Sequence, residues 1–295
     1  MITLSINNIL MDVRTTNFSD GAVSVKIAGA IPQGPQKALI TVKSEGKLNG
    51  ELFEVASLVG ILRDINPRIR IELFMPYGPY ARQDRRMVQR DAFSLKTYAN
   101  ILNSLQLDKV YVMDSHSTVL PALVDNCVDI PQSTVLKLIK AINAELGTDT
   151  IVVSPDMGAV KKASEAVYAI NATGIAYLNK TRNPATGAIT GMEMMGGGSA
   201  SGLRGRNLLI VDDLCDGGAT FIHAAKLLRE FEPNTIQLYV THGIFSRGTD
   251  EMLSFGRIDR IWTTDSIKHP AANINRHQVR VTSVDYLFEQ YRRLY

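Results

Sequence analysis

The sequence predicts an α/β fold of two domains, each with a mainly parallel sheet flanked by helices. The 295-residue length fits two domains of ordinary size, and a hydrophobic content of 45% is enough for buried cores. Short β-branched segments alternate with helical ones along most of the chain, which favours parallel sheets covered on both faces. A boundary near Pro131–Ser133 divides the predicted domains into 1–132 and 133–295.

The strands are predicted from short apolar runs rich in β-branched residues. In chain order they are Ala38–Val42, Arg70–Phe74, Val110–Met113, Thr150–Val153, Gly174–Leu178, Leu208–Val211, Ile236–Val240 and Arg260–Thr263.

Helices are predicted between the strands, where apolar residues recur at helical spacing. Asn49 is the expected cap of a helix that continues to Asp64, and Ser133 is the expected cap of a helix that continues to Leu146. A third helix begins near Gly218 and continues to Phe231.

Composition excludes several classes of protein. A net charge of +3 does not indicate a polybasic nucleic-acid binder, and no apolar run reaches the ~20 residues of a membrane helix. No secretory signal is visible at the N-terminus. Cys127 and Cys215 lie far apart, which indicates a reducing compartment. We therefore expect a soluble cytoplasmic protein with no nucleic-acid or membrane partner.

Ionisable side chains follow several of the predicted strands. Asp114 and His116 follow one strand, Asp156 follows another, and Asp212 with Asp213 follows a third. In open parallel sheets, ligands bind beyond the carboxyl ends of the strands. The repetition of this pattern predicts a polar binding crevice at that edge.

The most informative segment is LLIVDDLCDGGAT, at Leu208–Thr220. Its small residues, Gly217, Gly218 and Ala219, would let backbone amides approach an anion at a helix N-terminus, and Thr220 adds a hydroxyl. The preceding acids are suited to sugar hydroxyls or a metal rather than to phosphate. The segment is neither a Walker loop nor a dinucleotide fingerprint, and it indicates a sugar-phosphate site.

This segment resembles the phosphoribosyl-pyrophosphate motif shared by type I phosphoribosyltransferases and ribose-phosphate pyrophosphokinases, and alone it leaves both families open. Further segments resemble the pyrophosphokinases in the same order: 18–21 (FSDG), 76–86 (PYGPYARQDRR), 113–117 (MDSHS) and 154–158 (SPDMG). A phosphoribosyltransferase, which does not use ATP, would not need the segments at 18–21 and 76–86.

The resemblance implies two phosphoribosyltransferase-type, Rossmann-like domains and assigns roles to named residues. The implied ATP-binding residues are Phe18, Asp20, Gly21, Arg82, Gln83 and Asp84, and the implied sugar-phosphate residues are Asp212, Asp213, Asp216, Gly217, Gly218, Ala219 and Thr220. His116 and Asp156 are the implied magnesium residues. Lys180 and Arg182, on a Gly- and Pro-containing loop, are implied as catalytic together with His116. Gly196–Ser199 fits no phosphate-loop pattern and is interpreted as a flexible turn.

The implied reaction is transfer of the β,γ-pyrophosphoryl group of ATP, with Mg²⁺, to the anomeric hydroxyl of ribose 5-phosphate, which leaves AMP. Such transfer depends mainly on positioning and charge neutralisation. The resemblance also implies small-molecule substrates, a homo-oligomer (dimer or hexamer) in which Phe18 reaches a neighbouring subunit's site, and a role in nucleotide or NAD synthesis.

The sequence departs from the pattern of the family at three places, and these departures keep alternatives open. Gly217 and Ala219 replace a Thr and a Gly of the usual loop, so ADP-ribose is an alternative acceptor. Ala22 stands where the nucleotide loop usually has Glu. The segment before Phe18 has no room for a first helix, so we expect allosteric control and assembly to differ. A phosphoribosyltransferase and a non-catalytic synthetase-associated subunit are further alternatives.

Overall fold

The computed structural model of the chain describes residues 1–34, 36–182, 189–195, 202–254, 257–268 and 277–295. The chain divides into two compact units, Met1–Ile130 (unit 1) and Pro131–Tyr295 (unit 2). Within the described residues, each unit contains a seven-stranded mixed sheet with flanking helices, which confirms the predicted α/β fold. The same described part contains no helix with the length and apolar character needed to cross a membrane.

The sheet of unit 1 has the strand order β3-β2-β1-β4-β5-β6-β7. Neighbouring strands from β4 to β7 are parallel, whereas β1, β2 and β3 add to the β4 side by antiparallel pairing. The strands are β1 (Ile2–Ile6), β2 (Ile9–Asn17), β3 (Val23–Ala28), β4 (Lys37–Val42), β5 (Arg70–Phe74), β6 (Lys109–Met113) and β7 (Cys127–Ile130). The helices are α1 (Leu48–Ile65), α2 (Ser94–Ser104) and α3 (Val119–Leu123).

The sheet of unit 2 has the strand order β10-β9-β8-β11-β12-β13-β14, and only β10 pairs in antiparallel fashion among the strands described. The strands are β8 (Thr150–Ser154), β9 (Gly174–Arg182), β10 (Ile189–Met194), β11 (Asn207–Cys215), β12 (Thr235–Gly243), β13 (Arg260–Thr264) and β14 (Val279–Thr282). The helices are α4 (Gln132–Leu138), α5 (Lys140–Leu146), α6 (Val160–Ala169), α7 (Ala219–Arg229), α8 (Asp250–Leu253) and α9 (Val284–Leu294).

Both expected helix caps are wrong. Lys47 is the N-cap of α1, and Asn49 lies inside the helix, where its side chain accepts a hydrogen bond from the Tyr80 hydroxyl. Pro131 is the N-cap of α4, and the Ser133 hydroxyl donates to Glu165. In each case a tertiary contact uses the polar side chain that the sequence pattern assigned to a cap.

The predicted helix from Ser133 to Leu146 is two helices, α4 and α5. Ile139 interrupts it with φ −86° and ψ 77°, which is outside the helical region. The apolar residues that recur at helical spacing in this predicted helix are nevertheless buried, as expected. Ile142 is 0% exposed and Leu146 is 2% exposed. The periodicity identified the buried face correctly but could not detect the break in backbone hydrogen bonding.

Candidate functional site

In unit 1, the segments that follow β5 and β6 form an open pocket. These two strands are parallel neighbours, so their carboxyl ends lie at the same edge of the sheet. The pocket has a volume of about 490 Å³ and is lined by Arg82, Gln83, Asp84, Arg85, Met87, Asp91, Ala92, Ser94 and His116. The structure therefore brings four of the predicted site residues together, three from the segment after β5 and His116 from the segment after β6.

Asp84 is the buried member of this group, with 7% of its surface exposed. Its carboxylate accepts two hydrogen bonds from the Arg85 guanidinium, at 2.7 Å from Nε and 3.1 Å from Nη2. These hydrogen bonds are the main cause that lowers the pKa of Asp84, against the opposing effect of burial; Ser117 and the charge of His116 also lower it. Asp84 is therefore a fixed anion at the base of the pocket, whereas Arg82 is exposed at its rim.

Left-handed backbone at two non-glycine residues shapes the segments that line this pocket. Tyr80 has φ 59° and Asp114 has φ 47°, a conformation that is costly for residues with a Cβ. The Asp114 amide donates to the Ile130 carbonyl at 2.8 Å, which fixes the turn that leads from β6 to His116. Such strained positions are frequent at functional sites, and no local sequence pattern indicated them.

Phe18, Asp20 and Gly21 form the tip of the hairpin between β2 and β3. The Ala22 amide donates to Asp20 Oδ1 at 2.9 Å, and Gly21 has φ +87°, so both residues are turn formers here. The Phe18 ring is 57% exposed. Among the described residues, the hairpin tip is not part of the lining of the unit 1 pocket.

In unit 2, three parallel neighbours, β9, β8 and β11, deliver polar residues to one edge of the sheet. Val153 of β8 pairs with Ala176 on one side and with Ile210 on the other. Counted from that row, Asp156 follows β8, and Lys180 lies further along β9. The Asp212–Asp213 pair lies near the end of β11, so the predicted residues of this unit share the carboxyl edge.

Asp156 organises the turn that precedes α6. Its Oδ1 accepts hydrogen bonds from the amides of Gly158 and Ala159, at 2.8 and 3.1 Å. Its Oδ2 forms an ion pair with Lys180 Nζ, and both side chains are mostly buried, at 15% and 20% exposure. The predicted metal residue and the predicted catalytic lysine are therefore direct partners in this structure.

Lys180 and Arg182 lie on a strand and not on the loop predicted from the sequence. Strand β9 extends to Arg182 and pairs with β10, with Lys180 opposite Met192. The Gly and Pro residues that suggested a loop fall mainly in 183–188, which is outside the described residues. The side chain of Arg182 and the predicted turn at Gly196–Ser199 are also outside them.

The acid pair is electrostatically unfavourable in the free protein. The pKa of Asp212 is raised well above its ordinary value, first by burial, then by the charge of Asp213, with a further contribution from Asp156. Lys162 Nζ lies 3.8 Å from Asp213 Oδ2 and partly balances this charge. Hydroxyl donors or a cation bound beside Asp212 would therefore relieve an existing repulsion.

The loop between β11 and α7 presents free backbone donors. Within the described residues, the amides of Gly217, Ala219 and Thr220 have no hydrogen-bond partner, as expected for the first turn of a helix. Gly218 has φ +79°, and a Cβ there would lie 2.7 Å from Met252 Sδ, so a side chain at this position would be strained and would require Met252 to shift. The Ser246 hydroxyl donates to Asp216 Oδ1 at 2.6 Å, which holds the loop after β12 beside this one. The geometry is suited to an anion at the helix N-terminus.

Sequence reasoning missed two cations at this edge, Lys162 on α6 and Arg247 on the loop after β12. Arg247 is exposed, and its side chain lies alongside Gly217. The sequence signal for Lys162 was its proximity to the predicted SPDMG segment. Arg247 had no such signal, because its position beside Gly217 depends on the pairing of β11 with β12.

The described residues contain no group of three or more His, Cys, Asp or Glu side chains arranged to hold a metal ion. His116 belongs to unit 1 and Asp156 to unit 2. Magnesium is commonly held by one or two carboxylates plus phosphate oxygens and water. The carboxylate of Asp156 fits that mode of binding, which does not require an all-protein cage.

Two family models match the chain. The N-terminal domain of ribose phosphate pyrophosphokinase matches residues 1–105, and the phosphoribosyl transferase domain matches residues 129–268. The structure is similar to the crystal structure of a phosphoribosylpyrophosphate synthetase from Mycobacterium smegmatis. That match has a TM-score of 0.79 at 23% identity and covers 96% of this chain and 89% of that one. At this identity, the structural similarity supports the fold.

Curated relatives extend the match over most of the chain. A protein named ribose-phosphate pyrophosphokinase from Chromobacterium violaceum is 34% identical over 90% of this chain and 79% of its own length. One of the same name from Vibrio cholerae is 32% identical over 97% of this chain and 88% of its own length. The chain therefore belongs to the ribose-phosphate pyrophosphokinase family of enzymes.

Proposed function

We propose that this chain transfers the β,γ-pyrophosphoryl group of ATP to the anomeric hydroxyl of ribose 5-phosphate, forming phosphoribosyl pyrophosphate and AMP. The main observation that supports this proposal is the carboxyl edge of unit 2. There an acid pair, a lysine and a row of free amides offer acceptors for sugar hydroxyls, a cation and donors for phosphate. The names of the curated relatives support the same reaction.

In this proposal the nucleotide binds to unit 1. Arg82 and Gln83 contact the phosphates or base of ATP at the rim of the pocket, and Asp84 fixes the floor through its hydrogen bonds with Arg85. His116 lies in the same pocket, where it can donate to a phosphate oxygen. The exposed ring of Phe18, with Asp20 and Gly21 at the hairpin tip, is proposed to reach the adenine of a neighbouring subunit in a homo-oligomer.

The sugar phosphate binds to unit 2. Asp212 and Asp213 accept hydrogen bonds from the ribose hydroxyls, which offsets the repulsion that raises the pKa of Asp212. The phosphate of the sugar binds the amides between Gly217 and Thr220 and the positive end of the α7 dipole. Asp216 supports the loop through its hydrogen bond with Ser246.

Lys180 and Arg182 neutralise the charge that develops during the transfer. Lys180 is partly buried and paired with Asp156, so the approach of the more highly charged triphosphate can draw the ammonium group away from that carboxylate. The anomeric hydroxyl attacks the β-phosphorus, its proton is released, and the bond between the β-phosphorus and the α,β-bridging oxygen breaks to release AMP.

Magnesium, when bound, neutralises charge on the phosphates. In this proposal His116 and Asp156 would hold it, and phosphate oxygens and water would supply most of its ligands. Asp156 would keep the hydrogen bonds from Gly158 and Ala159 through Oδ1, and Oδ2, which pairs with Lys180 in this structure, would be the oxygen available to the ion.

The test is a product assay by mass spectrometry with ATP, Mg²⁺ and ribose 5-phosphate. We expect AMP and phosphoribosyl pyrophosphate in equal amounts, with no AMP when the sugar is omitted. Lys180→Ala is expected to lower kcat by about 10²–10³-fold, since it removes one charge-stabilising donor. Lys161→Ala is the matched control, because Lys161 is exposed on α6 and has no partner in the described part of the chain.

Sugar-dependent AMP release at the wild-type rate in the Lys180→Ala variant would remove Lys180 from the mechanism. No AMP release from the wild-type protein with any acceptor would contradict the proposed function. That result would favour a non-catalytic partner, and pyrophosphate release from phosphoribosyl pyrophosphate in the presence of a base would favour a phosphoribosyltransferase.

ADP-ribose is the second candidate acceptor, and one observation favours it. Gly217 has no side chain, and the methyl group of Ala219 is exposed, so the loop has no hydroxyl at position 217 to bind a terminal phosphate. The same assay with ADP-ribose in parallel compares kcat/KM for the two acceptors. A higher value for ADP-ribose would assign the chain to that acceptor and to a role in NAD salvage.

A further inference from the structure

The loop that follows β12 is fixed against the loop that follows β11. The Cys215 carbonyl accepts hydrogen bonds from the amides of Ile244 and Phe245, at 2.8 and 3.2 Å. The Asp216 carbonyl accepts one from the Ser246 amide at 3.2 Å, and the Ser246 hydroxyl donates to Asp216 Oδ1 at 2.6 Å. The backbone at the next residue, Arg247, is therefore held next to the amides of the β11–α7 loop.

The side chain of Arg247 lies in van der Waals contact with the position that a Cβ at residue 217 would take. A Cβ built on Gly217 would be 3.5 Å from Arg247 Cδ, 3.6 Å from Nε and 3.9 Å from Cγ. Those distances are ordinary van der Waals contacts for a methyl group, and a longer side chain that pointed towards Arg247 would require the arginine to move. The φ of Gly217 is not in the left-handed region, so the backbone does not require glycine there.

The guanidinium group of Arg247 is free to bind an anion. Within the described residues it forms no hydrogen bond and no ion pair. Its Nε would lie 3.6 Å from a Cβ built on Gly217, in the loop whose amides at Gly217, Ala219 and Thr220 are themselves free within the described residues. A planar guanidinium can donate two parallel hydrogen bonds to a phosphate, which a hydroxyl cannot do.

We propose that Arg247 is a specificity-determining residue of this chain that binds the phosphate of the sugar substrate in place of a hydroxyl side chain at position 217. This inference rests on the proposed function, because it requires the β11–α7 loop to hold a sugar phosphate. It explains the departure at position 217 as one half of a paired change: the neutral hydroxyl donor is absent at 217, and the charged donor of Arg247 lies beside that position.

The test is isothermal titration calorimetry of ribose 5-phosphate with the full chain and its Arg247→Ala variant. Loss of a charge-assisted hydrogen bond is expected to weaken binding by about 10–100-fold. The affinity should also fall less steeply with salt in the variant than in the wild type, because one charge contact is missing. Arg293→Ala is the matched control, since Arg293 is an exposed arginine of the same unit without a partner in the described residues.

A double variant, Gly217→Thr with Arg247→Ala, tests whether the two positions serve one phosphate. We expect it to bind ribose 5-phosphate more tightly than Arg247→Ala alone, because the hydroxyl then occupies the vacated space. Equal affinities of the double variant and Arg247→Ala would contradict the paired role.

Failure of the inference about Arg247 and failure of the proposed function give different results. If the wild type binds ribose 5-phosphate and Arg247→Ala binds it equally well, the inference about Arg247 is wrong and the proposed function stands. If the wild type neither binds ribose 5-phosphate nor releases AMP with it, the proposed function and the inference are both wrong. Circular dichroism of each variant confirms that a loss of binding is not a loss of folding.

Discussion

Asp212 is electrostatically strained at a position where we propose that it binds the sugar. Burial, the charge of Asp213 and the charge of Asp156 all raise its pKa, so its ionised form is unfavourable in the free protein. Lys162 and Lys180 pair with Asp213 and Asp156, respectively, and lessen the repulsion. An acid whose ionised form is disfavoured in this way fits the proposed role of Asp212 in binding the sugar.

Asp212→Asn is therefore expected to stabilise the protein and to impair its function. Protonated Asp212 contributes stability that is fully present below the ordinary carboxyl pKa and is lost as the pH rises through its raised pKa. The side-chain amide of the asparagine variant stays neutral at every pH. Its Tm should therefore exceed that of the wild type at neutral pH, by roughly 2–4 °C per kcal/mol gained, and the difference should shrink as the pH is lowered. Ribose 5-phosphate should bind about 10-fold more weakly, because an ionic acceptor is lost.

Thermal unfolding followed by circular dichroism at two pH values checks the first expectation, and calorimetry checks the second. A Tm for Asp212→Asn below that of the wild type at neutral pH would show that the carboxylate is not destabilising, and would contradict the electrostatic account of the acid pair.

A substitution at Gly218 tests whether the geometry of the β11–α7 loop depends on glycine. Its φ of +79° opposes a side chain, and so does Met252 Sδ, which would lie 2.7 Å from a Cβ at this position. Gly218→Ala is expected to cost about 1–3 kcal/mol in the free energy of unfolding. Gly60→Ala is the control, because Gly60 lies inside α1 with nothing within 4 Å of its Cβ position, and it should gain about 0.5–1 kcal/mol. Chemical denaturation measures both, and equal effects would contradict the assignment.

At the scale of elements, the turn before α6 has two roles that substitutions can separate. Asp156 accepts the amides of Gly158 and Ala159 with one oxygen and pairs with Lys180 through the other. Asp156→Asn keeps an oxygen that can accept the two amides, whereas Asp156→Ala loses both these hydrogen bonds and the pairing with Lys180. We expect the alanine variant to be less stable than the asparagine variant by about 0.5–2 kcal/mol, measured by urea denaturation. Equal stabilities would show that the turn does not depend on this side chain.

Element positions were predictable where burial determines them, and element ends were not. Arg70–Phe74 matches β5 because all the residues of that run after Arg70 are buried. Strand β9 extends past the predicted Leu178 to Arg182, because its pairing with β10 supports residues whose polar character suggested a loop. Pairing of that kind joins segments that are separate in the sequence, so no local pattern could reveal it.

At the scale of the whole molecule, the prediction missed strands that face solvent. Strand β2 consists largely of exposed residues, and β3 alternates exposed with partly buried ones, so neither has the continuous apolar run that identified the buried parallel strands. They bear on the proposed nucleotide site because their hairpin carries Phe18 and Asp20. The candidate site residues were identified by motif resemblance, and what the sequence could not supply was their pairing: Lys180 with Asp156, Lys162 with Asp213, and Arg247 with Gly217.

The most direct test of the central claim follows the fate of one oxygen atom. ATP labelled with oxygen-18 at the α,β-bridging position is incubated with the full chain, Mg²⁺ and ribose 5-phosphate, and the products are analysed by mass spectrometry. Attack of the anomeric hydroxyl on the β-phosphorus predicts that AMP carries the label and that phosphoribosyl pyrophosphate does not. Label in a diphosphate product, or formation of ADP with a singly phosphorylated acceptor, would contradict the account.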